Sequence, residues 1–92
     1  MVLETFPPKD PDAVLDYAFD WTEWLQASEV ITTHIISIDA GIIKDSDSEN
    51  AGIVTVWLSG GTDGETYNVA CRITTNLGRT DERTAVVEMA ER

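Results

Sequence analysis

The sequence has very few of the residues that build reactive or metal-binding sites. Its 92 residues include one cysteine, Cys71, and one histidine, His34. A single cysteine excludes an intrachain disulfide and a zinc site made of thiolates. Cys71 is in phase with Tyr67, Val69 and Ile73, so we expect a small buried residue of a strand. We assign no catalytic, cofactor-binding or metal-binding residue and predict that the protein is not an enzyme and uses no cofactor.

Basic residues and long apolar runs are also scarce. Lys and Arg number 6 against 17 Asp and Glu, for a formal net charge of −11. Phosphate binding needs clustered Lys and Arg, and anionic lipid repels an acidic chain, so we predict neither nucleic acid nor membrane as a partner. The compatible partner is a basic protein surface, although the same charge would serve solubility alone. No run approaches the roughly 18 apolar residues of a membrane span.

Two further predictions concern the ends of the chain: ion pairs near the C-terminal end and the absence of secretion-signal features in the first ten residues. Asp81 stands between Arg79 and Arg83, which predicts exposed ion pairs on the last hairpin. The first ten residues have no basic segment followed by an apolar one, so they lack the features of a secretion signal. We therefore expect the protein to be made in the cytoplasm and to leave it only as part of an assembly.

The C-terminal half contains three segments with the two-residue period of β-strands, at residues 54–58, 66–75 and 79–89. Glycine-bearing turns separate them, and Gly78 can supply the positive φ of the second turn. The glycine-rich residues 60–64 lack the lysine and the following helix of a phosphate-binding loop, so we interpret them as a tight connection. The pattern predicts an antiparallel β-meander.

The N-terminal half is less regular. Residues 13–25 fit a strand or a helix, and we favour the strand because apolar side chains occupy four alternating positions from Leu15 to Trp21. Residues 29–38 are rich in β-branched side chains without clean alternation, which predicts a strand that is buried on both sides or carries a bulge. Residues 45–50 are polar and predict a solvated connection, because they lack the glycine and glutamate that complete a calcium-binding loop.

These segments predict an all-β fold. Ninety-two residues suit one domain, and about six or seven short strands suit a sandwich better than a barrel. We predict an immunoglobulin-like or fibronectin type III-like antiparallel β-sandwich over residues 13–92, preceded by an extended arm at residues 1–12, where three prolines oppose regular structure. Tyr67 begins the penultimate strand, where such sandwiches place a tyrosine whose hydroxyl bonds to the preceding loop.

Four apolar residues are candidates for partner binding: Val2, Leu3 and Phe6 on the arm, and Trp24. The arm residues lie either across the domain's own sheet edge or on a neighbouring protein. We interpret the tryptophans as core residues, with Trp24 the candidate exception because it is out of phase with Trp21. Trp57 is expected in the core.

Three blocks of sequence carry a family resemblance. They read Lys-Asp-Pro-Asp-Ala-Val-Leu-Asp-Tyr at 9–17 with Asp20-Trp21, Val-Thr-Val-Trp-Leu-Ser-Gly-Gly-Thr-Asp-Gly-Glu-Thr-Tyr at 54–67, and Arg-Ile-Thr-Thr-Asn-Leu-Gly-Arg-Thr-Asp-Glu-Arg at 72–83. Together they cover a little over a third of the chain. They resemble a family of small proteins encoded among the head and head–tail joining genes of tailed bacteriophages.

The resemblance implies an immunoglobulin-like structural component of the virion, assembled in the cytoplasm of the bacterial host. Its expected role is to decorate or stabilise the capsid or the neck and collar between head and tail. Its expected partners are capsid or portal and neck proteins, with self-association inside the particle. The alternative that the residues leave open is a carbohydrate- or receptor-binding module, which would use Trp24 and loop carboxylates.

Overall fold

The computed structural model describes residues 3–90, with side chains described from Thr5 onward. These residues form seven strands and no helix, so none of them makes a helical membrane span. The strands, in chain order, are β1 Leu3–Thr5, β2 Leu15–Asp20, β3 Ile31–Ile38, β4 Ile42–Asn50, β5 Ile53–Gly60, β6 Thr66–Thr75 and β7 Thr80–Glu88.

Two sheets pack face to face as a β-sandwich, which confirms the predicted all-β fold class. One sheet has the order β1-β7-β6-β3 and the other β2-β5-β4. All pairings are antiparallel except that of β1 with β7. The orders β7-β6-β3 and β2-β5-β4 are those of the last six strands of seven-stranded immunoglobulin-type sandwiches. The first strand here joins β7 instead of β2.

Alternation of buried and exposed side chains along β6, and along β2 from Asp16 onward, builds much of the core. Buried positions on β6 include Tyr67, Val69, Cys71 and Ile73, because successive strand residues point to opposite faces. Cys71 is a buried strand residue, as predicted. On β2 the aromatic side chains of Tyr17 and Phe19 point inward, and Trp21 follows in the same phase. The strand interpretation of this segment is confirmed, although it ends at Asp20.

Two predicted local features are present at the ends of β6. The Tyr67 hydroxyl accepts a hydrogen bond from the Thr62 amide at 3.0 Å, which confirms the bond back to the preceding loop. At the other end, β6 and β7 form the predicted hairpin. Gly78 has φ +83°, a conformation that residues with a Cβ rarely adopt, and its amide donates to the Thr75 carbonyl.

Two sequence predictions need correction, and one pair of alternatives is decided. Residues 45–50 are part of strand β4 and not a connection, because backbone pairing with β5 overrides their polar side chains. Of the two alternatives for residues 29–38, the bulge is present as a register shift between Ile31 and Thr33, whereas burial on both sides is not, because Ile35 is 60% exposed. Trp57 is 42% exposed on β5, so its assignment to the core is also wrong.

Candidate interaction surfaces

The N-terminal segment, which we expected either on the domain's own sheet edge or on a neighbouring protein, lies against its own domain. Leu3 pairs with Thr84 in the parallel register of β1 and β7, and the Phe6 amide donates to the Val86 carbonyl. The Phe6 ring is stacked on Tyr17 with centroids 4.7 Å apart and is only 7% exposed. Phe6 is therefore a core residue here and not part of an exposed surface. Val2 and the side chain of Leu3 lie outside the described residues.

A buried lysine, which the sequence analysis did not single out, fixes the next part of this segment. Lys9 is fully buried, and its ammonium donates to the carbonyls of Asp10 and Gly60 at 2.9 Å each. Burial lowers the pKa of the Lys9 amine, because desolvation penalises its charge, while nearby carboxylates including Asp12 oppose this effect. The Lys9 backbone also bonds to Glu88 and Ala90, so the segment is held on both sides.

Trp24, the other predicted partner-binding residue, is half-buried at the end of the sandwich where the β2–β3 loop meets the β6–β7 turn. It packs edge-to-face against Trp21 with ring centroids 5.5 Å apart. The Arg79 guanidinium lies over the Trp24 ring, 3.9 Å from its centroid, and also donates to the Trp24 carbonyl at 3.1 Å. The Trp24 ring therefore already packs against Trp21 and Arg79 of its own chain.

A buried carboxylate, that of Glu29, holds this end of the sandwich together. Arg79 donates to both Glu29 oxygens in a bidentate pair, and the Nε–Oε2 distance is 2.8 Å. The Thr75 hydroxyl and the Gln26 amide also donate to this carboxylate, at 2.6 and 2.9 Å. The Arg79 hydrogen bonds lower the pKa of Glu29 to about 2. The cluster joins the β2–β3 loop to the β6–β7 turn.

The two arginines that flank Asp81 in the sequence also make long-range contacts. Arg79 pairs with Glu29. Arg83 points inward, where its guanidinium lies 4.1 Å from the Trp21 ring and donates to the Asp20 carbonyl at 2.7 Å. Asp81 and Arg83 are two residues apart and share one side of β7, so strand alternation allowed the predicted pairing. The contacts with Glu29 and Trp21 are long-range, so nearness along the chain did not predict them.

The outer face of the β2-β5-β4 sheet presents an exposed aromatic side chain. Trp57 points outward from the central strand and pairs with Asp16 on β2 and Ser46 on β4. The next outward row contains Ala18, Thr55 and Ser48 in the same register. Because these neighbours are short, Trp57 projects above them. We call this face the Trp57 face, defined by its exposed or half-buried outward residues Asp16, Ala18, Asp20, Ile43, Ser46, Ser48, Asn50, Ile53, Thr55, Trp57 and Ser59.

The composition of the Trp57 face differs from that of an ordinary solvated sheet. Two further large apolar side chains are exposed on it, Ile53 at 37% and Ile43 at 55%. Its charged side chains are Asp16 and Asp20, both on β2 at its margin. Exposed aromatic residues with charge confined to the rim are typical of protein-binding surfaces. The sequence signal was available in retrospect, since Trp57 is out of phase with Val54, Val56 and Leu58.

Metal binding has no support in the described part of the chain, where no three His, Cys, Asp or Glu side chains group as a cation would require. The carboxylates of β4 instead interact with neighbouring side chains. Lys44 donates to Asp47 at 2.6 Å, and His34 Nε2 lies 2.7 Å from the other Asp47 oxygen. The Lys44 bond lowers the pKa of Asp47, and the His34 contact adds to the effect.

Comparison with known proteins identifies the family. A family model described as podophage GP4 fiber-tail adaptor protein gp77 matches residues 9–88. The chain belongs to this family. The match spans all three blocks that carry the resemblance to tailed-phage proteins and confirms a structural component of a tailed-phage virion. No curated protein matches the chain.

Proposed function

We propose that this protein is a non-enzymatic adaptor of a podophage virion that joins a fibre to the tail through protein–protein contacts. The family match over residues 9–88 carries the proposal. Decoration of the capsid, contact with portal or neck proteins, and self-association in the particle are the other structural roles that the resemblance implied. The adaptor role is favoured over them because the family description names fibre and tail.

The Trp57 face is the proposed contact with one of these two partners. A large exposed aromatic ring on a rigid central strand is typical of the residues that dominate binding energy. The carboxylates at its rim and the chain's net charge of −11 select a partner surface in which Lys and Arg surround an apolar pocket. The occupant we propose is therefore a basic surface of the tail or of the fibre protein.

A phage that carries a nonsense codon in this gene tests the role. Grown on a host that does not suppress the codon, it should yield particles with intact heads and tails but without the attached fibre. Electron microscopy of purified particles measures this directly. Fibre-bearing particles with fragile capsids would instead support capsid decoration and contradict the adaptor role.

Trp57→Ala tests the surface. Loss of a central aromatic contact should weaken binding to the tail or fibre protein by about 2 kcal/mol or more. Val30→Ala is the matched control, because Val30 is 56% exposed but lies away from the Trp57 face. Both variants should unfold at the wild-type temperature. Binding of a soluble oligosaccharide that Trp57→Ala abolishes would favour the carbohydrate-binding alternative.

A further inference from the structure

Each of the two sheets has two edge strands, and only one of these four lacks features that prevent a strand of another chain from pairing with it. Exposed sheet edges are normally shortened or carry charged residues or proline. β1 has three residues, β2 carries Asp16 and Asp20, and β4 carries Lys44 and three carboxylates. β3, by contrast, reads Ile-Thr-Thr-His-Ile-Ile-Ser-Ile over eight residues without Asp, Glu, Lys, Arg or Pro.

The open side of β3 presents backbone hydrogen-bonding groups at alternate residues. The Asp39 amide donates to the Asn68 carbonyl at 3.2 Å, and the Asn76 amide donates to Val30 beyond the bulge. This alternation directs the amides of residues 33, 35 and 37 toward β6 and those of residues 34, 36 and 38 away from it. No other strand of residues 3–90 pairs with that side.

The surroundings of β3 add apolar contact area on one face and negative charge on the other. Ile35 is 60% exposed on the outer face of its sheet, beside Arg72. On the inner side, His34 of β3 contacts Asp47 of β4, so the two edge strands lie together. The β4 edge has three carboxylates, Asp45, Asp47 and Glu49, against the single ammonium of Lys44, a net charge of −2.

We infer that β3 accepts an added strand from a different virion protein, an extended segment with an apolar side chain over Ile35 and Lys or Arg toward β4. Main-chain hydrogen bonds to residues 34, 36 and 38 supply the binding, and side chains select the partner. A second copy of this chain is disfavoured. Two-fold pairing of β3 with β3 would bring both acidic β4 edges together. The inference rests on the proposed function, because the strand donor is taken to be the tail or the fibre protein.

Hydrogen exchange tests this inference with the full chain. The probes are the purified tail and the purified fibre protein of the same phage, each mixed separately with it. With the strand donor, exchange at the amides of residues 34, 36 and 38 should slow by about tenfold or more, while residues 33, 35 and 37, already bonded to β6, should change little. Binding without protection of 34, 36 and 38 would overturn the inference and leave the adaptor role intact.

Two further outcomes are distinguishable. Protection of the same amides when the chain alone is concentrated would overturn the assignment of a different protein as the donor. Failure of both probes to bind would contradict the adaptor role and with it the inference.

Ile35→Lys places a charge on the edge without disturbing the core and should weaken binding by about tenfold or more. Leu77→Lys, at a side chain that is 55% exposed in the β6–β7 turn, is the control and should bind as the wild type.

Discussion

At the scale of single residues, the hydroxyl of Tyr67 positions the glycine-rich loop between β5 and β6. It accepts a hydrogen bond from the Thr62 amide. The Tyr67 ring lies against Gly41, and a Cβ added at Gly41 would lie 2.9 Å from Tyr67 Cε1. We expect Tyr67→Phe to destabilise the fold by about 1–2 kcal/mol, because the bond from the Thr62 amide to the buried Tyr67 is lost while the ring packing is retained. Chemical denaturation measures the change. An unaltered unfolding midpoint would mean that water replaces the bond without cost.

The carboxylate of Glu29 should make stability depend on pH. Its pKa lies at about 2 in the folded state, against an ordinary value of 4.5, because Arg79 hydrogen-bonds the charged form. A lowered folded pKa contributes stability that is present above the unfolded pKa and disappears as pH falls through the folded one. The free energy of unfolding should therefore decline from pH 4.5 to pH 2 more steeply in the wild type than in Glu29→Gln.

Unfolding curves collected across this pH range provide the measurement for Glu29. Asp47 also has a lowered pKa, chiefly through its bond from Lys44, so Asp47→Asn provides a second, independent comparison. Parallel pH profiles of the wild type and Glu29→Gln would show that the pair with Arg79 does not distinguish the folded from the unfolded state.

At the scale of elements, the N-terminal segment behaves as part of the sandwich. Phe6 packs on Tyr17 and Phe19 beneath the parallel pairing of β1 with β7. We expect Phe6→Ala to destabilise the protein by about 3 kcal/mol or more, as truncation of a buried aromatic ring does. Denaturant unfolding measures this. Wild-type stability would mean that the segment leaves the core easily and is available to a partner after all.

Removal of residues 1–10 separates these alternatives further. It deletes β1, Phe6 and the buried Lys9 together, so we expect a poorly folded chain and not a stable domain that merely fails to attach. Lys9→Met is a milder comparison, because it keeps the apolar stem but loses the bonds to the carbonyls of Asp10 and Gly60.

The elements differ in how far the sequence predicted them. β6 and β7 were predictable because alternation and the turn at Gly78 are local signals. The strand character of residues 45–50 was not, because it comes from pairing with β5 and not from their own side chains. Docking of Phe6 was left open for the same reason, since β7 is about eighty residues away in sequence. The exposure of the Trp57 face depends on which side of β5 packs against the other sheet, and that is a property of the assembled sandwich.

At the scale of the whole molecule, charge should govern how fast the protein meets its partner. The net charge of −11 is carried on a body of 42 × 22 × 20 Å. We expect association with a basic partner to slow markedly as salt rises from about 0.05 to 0.5 M, because screening shortens the range of attraction, while dissociation changes less. Stopped-flow or surface-binding kinetics measure both rates.

A reversal of charge provides the control for salt dependence. Asp16→Lys reverses a charge at the rim of the Trp57 face and should slow association at low salt while leaving the fold intact, since this side chain is exposed. Association rates that do not respond to salt in either protein would contradict electrostatic steering and point to binding driven by apolar contact alone.

The burial of the single cysteine also offers a way to observe the protein inside an assembled particle. Cys71 is 0% exposed in the middle of β6, so a thiol-specific reagent reaches it only when the two sheets separate. The labelling rate therefore reports opening of the sandwich without any engineered probe. Comparing that rate between the purified chain and intact particles would reveal how strongly attachment restrains the fold.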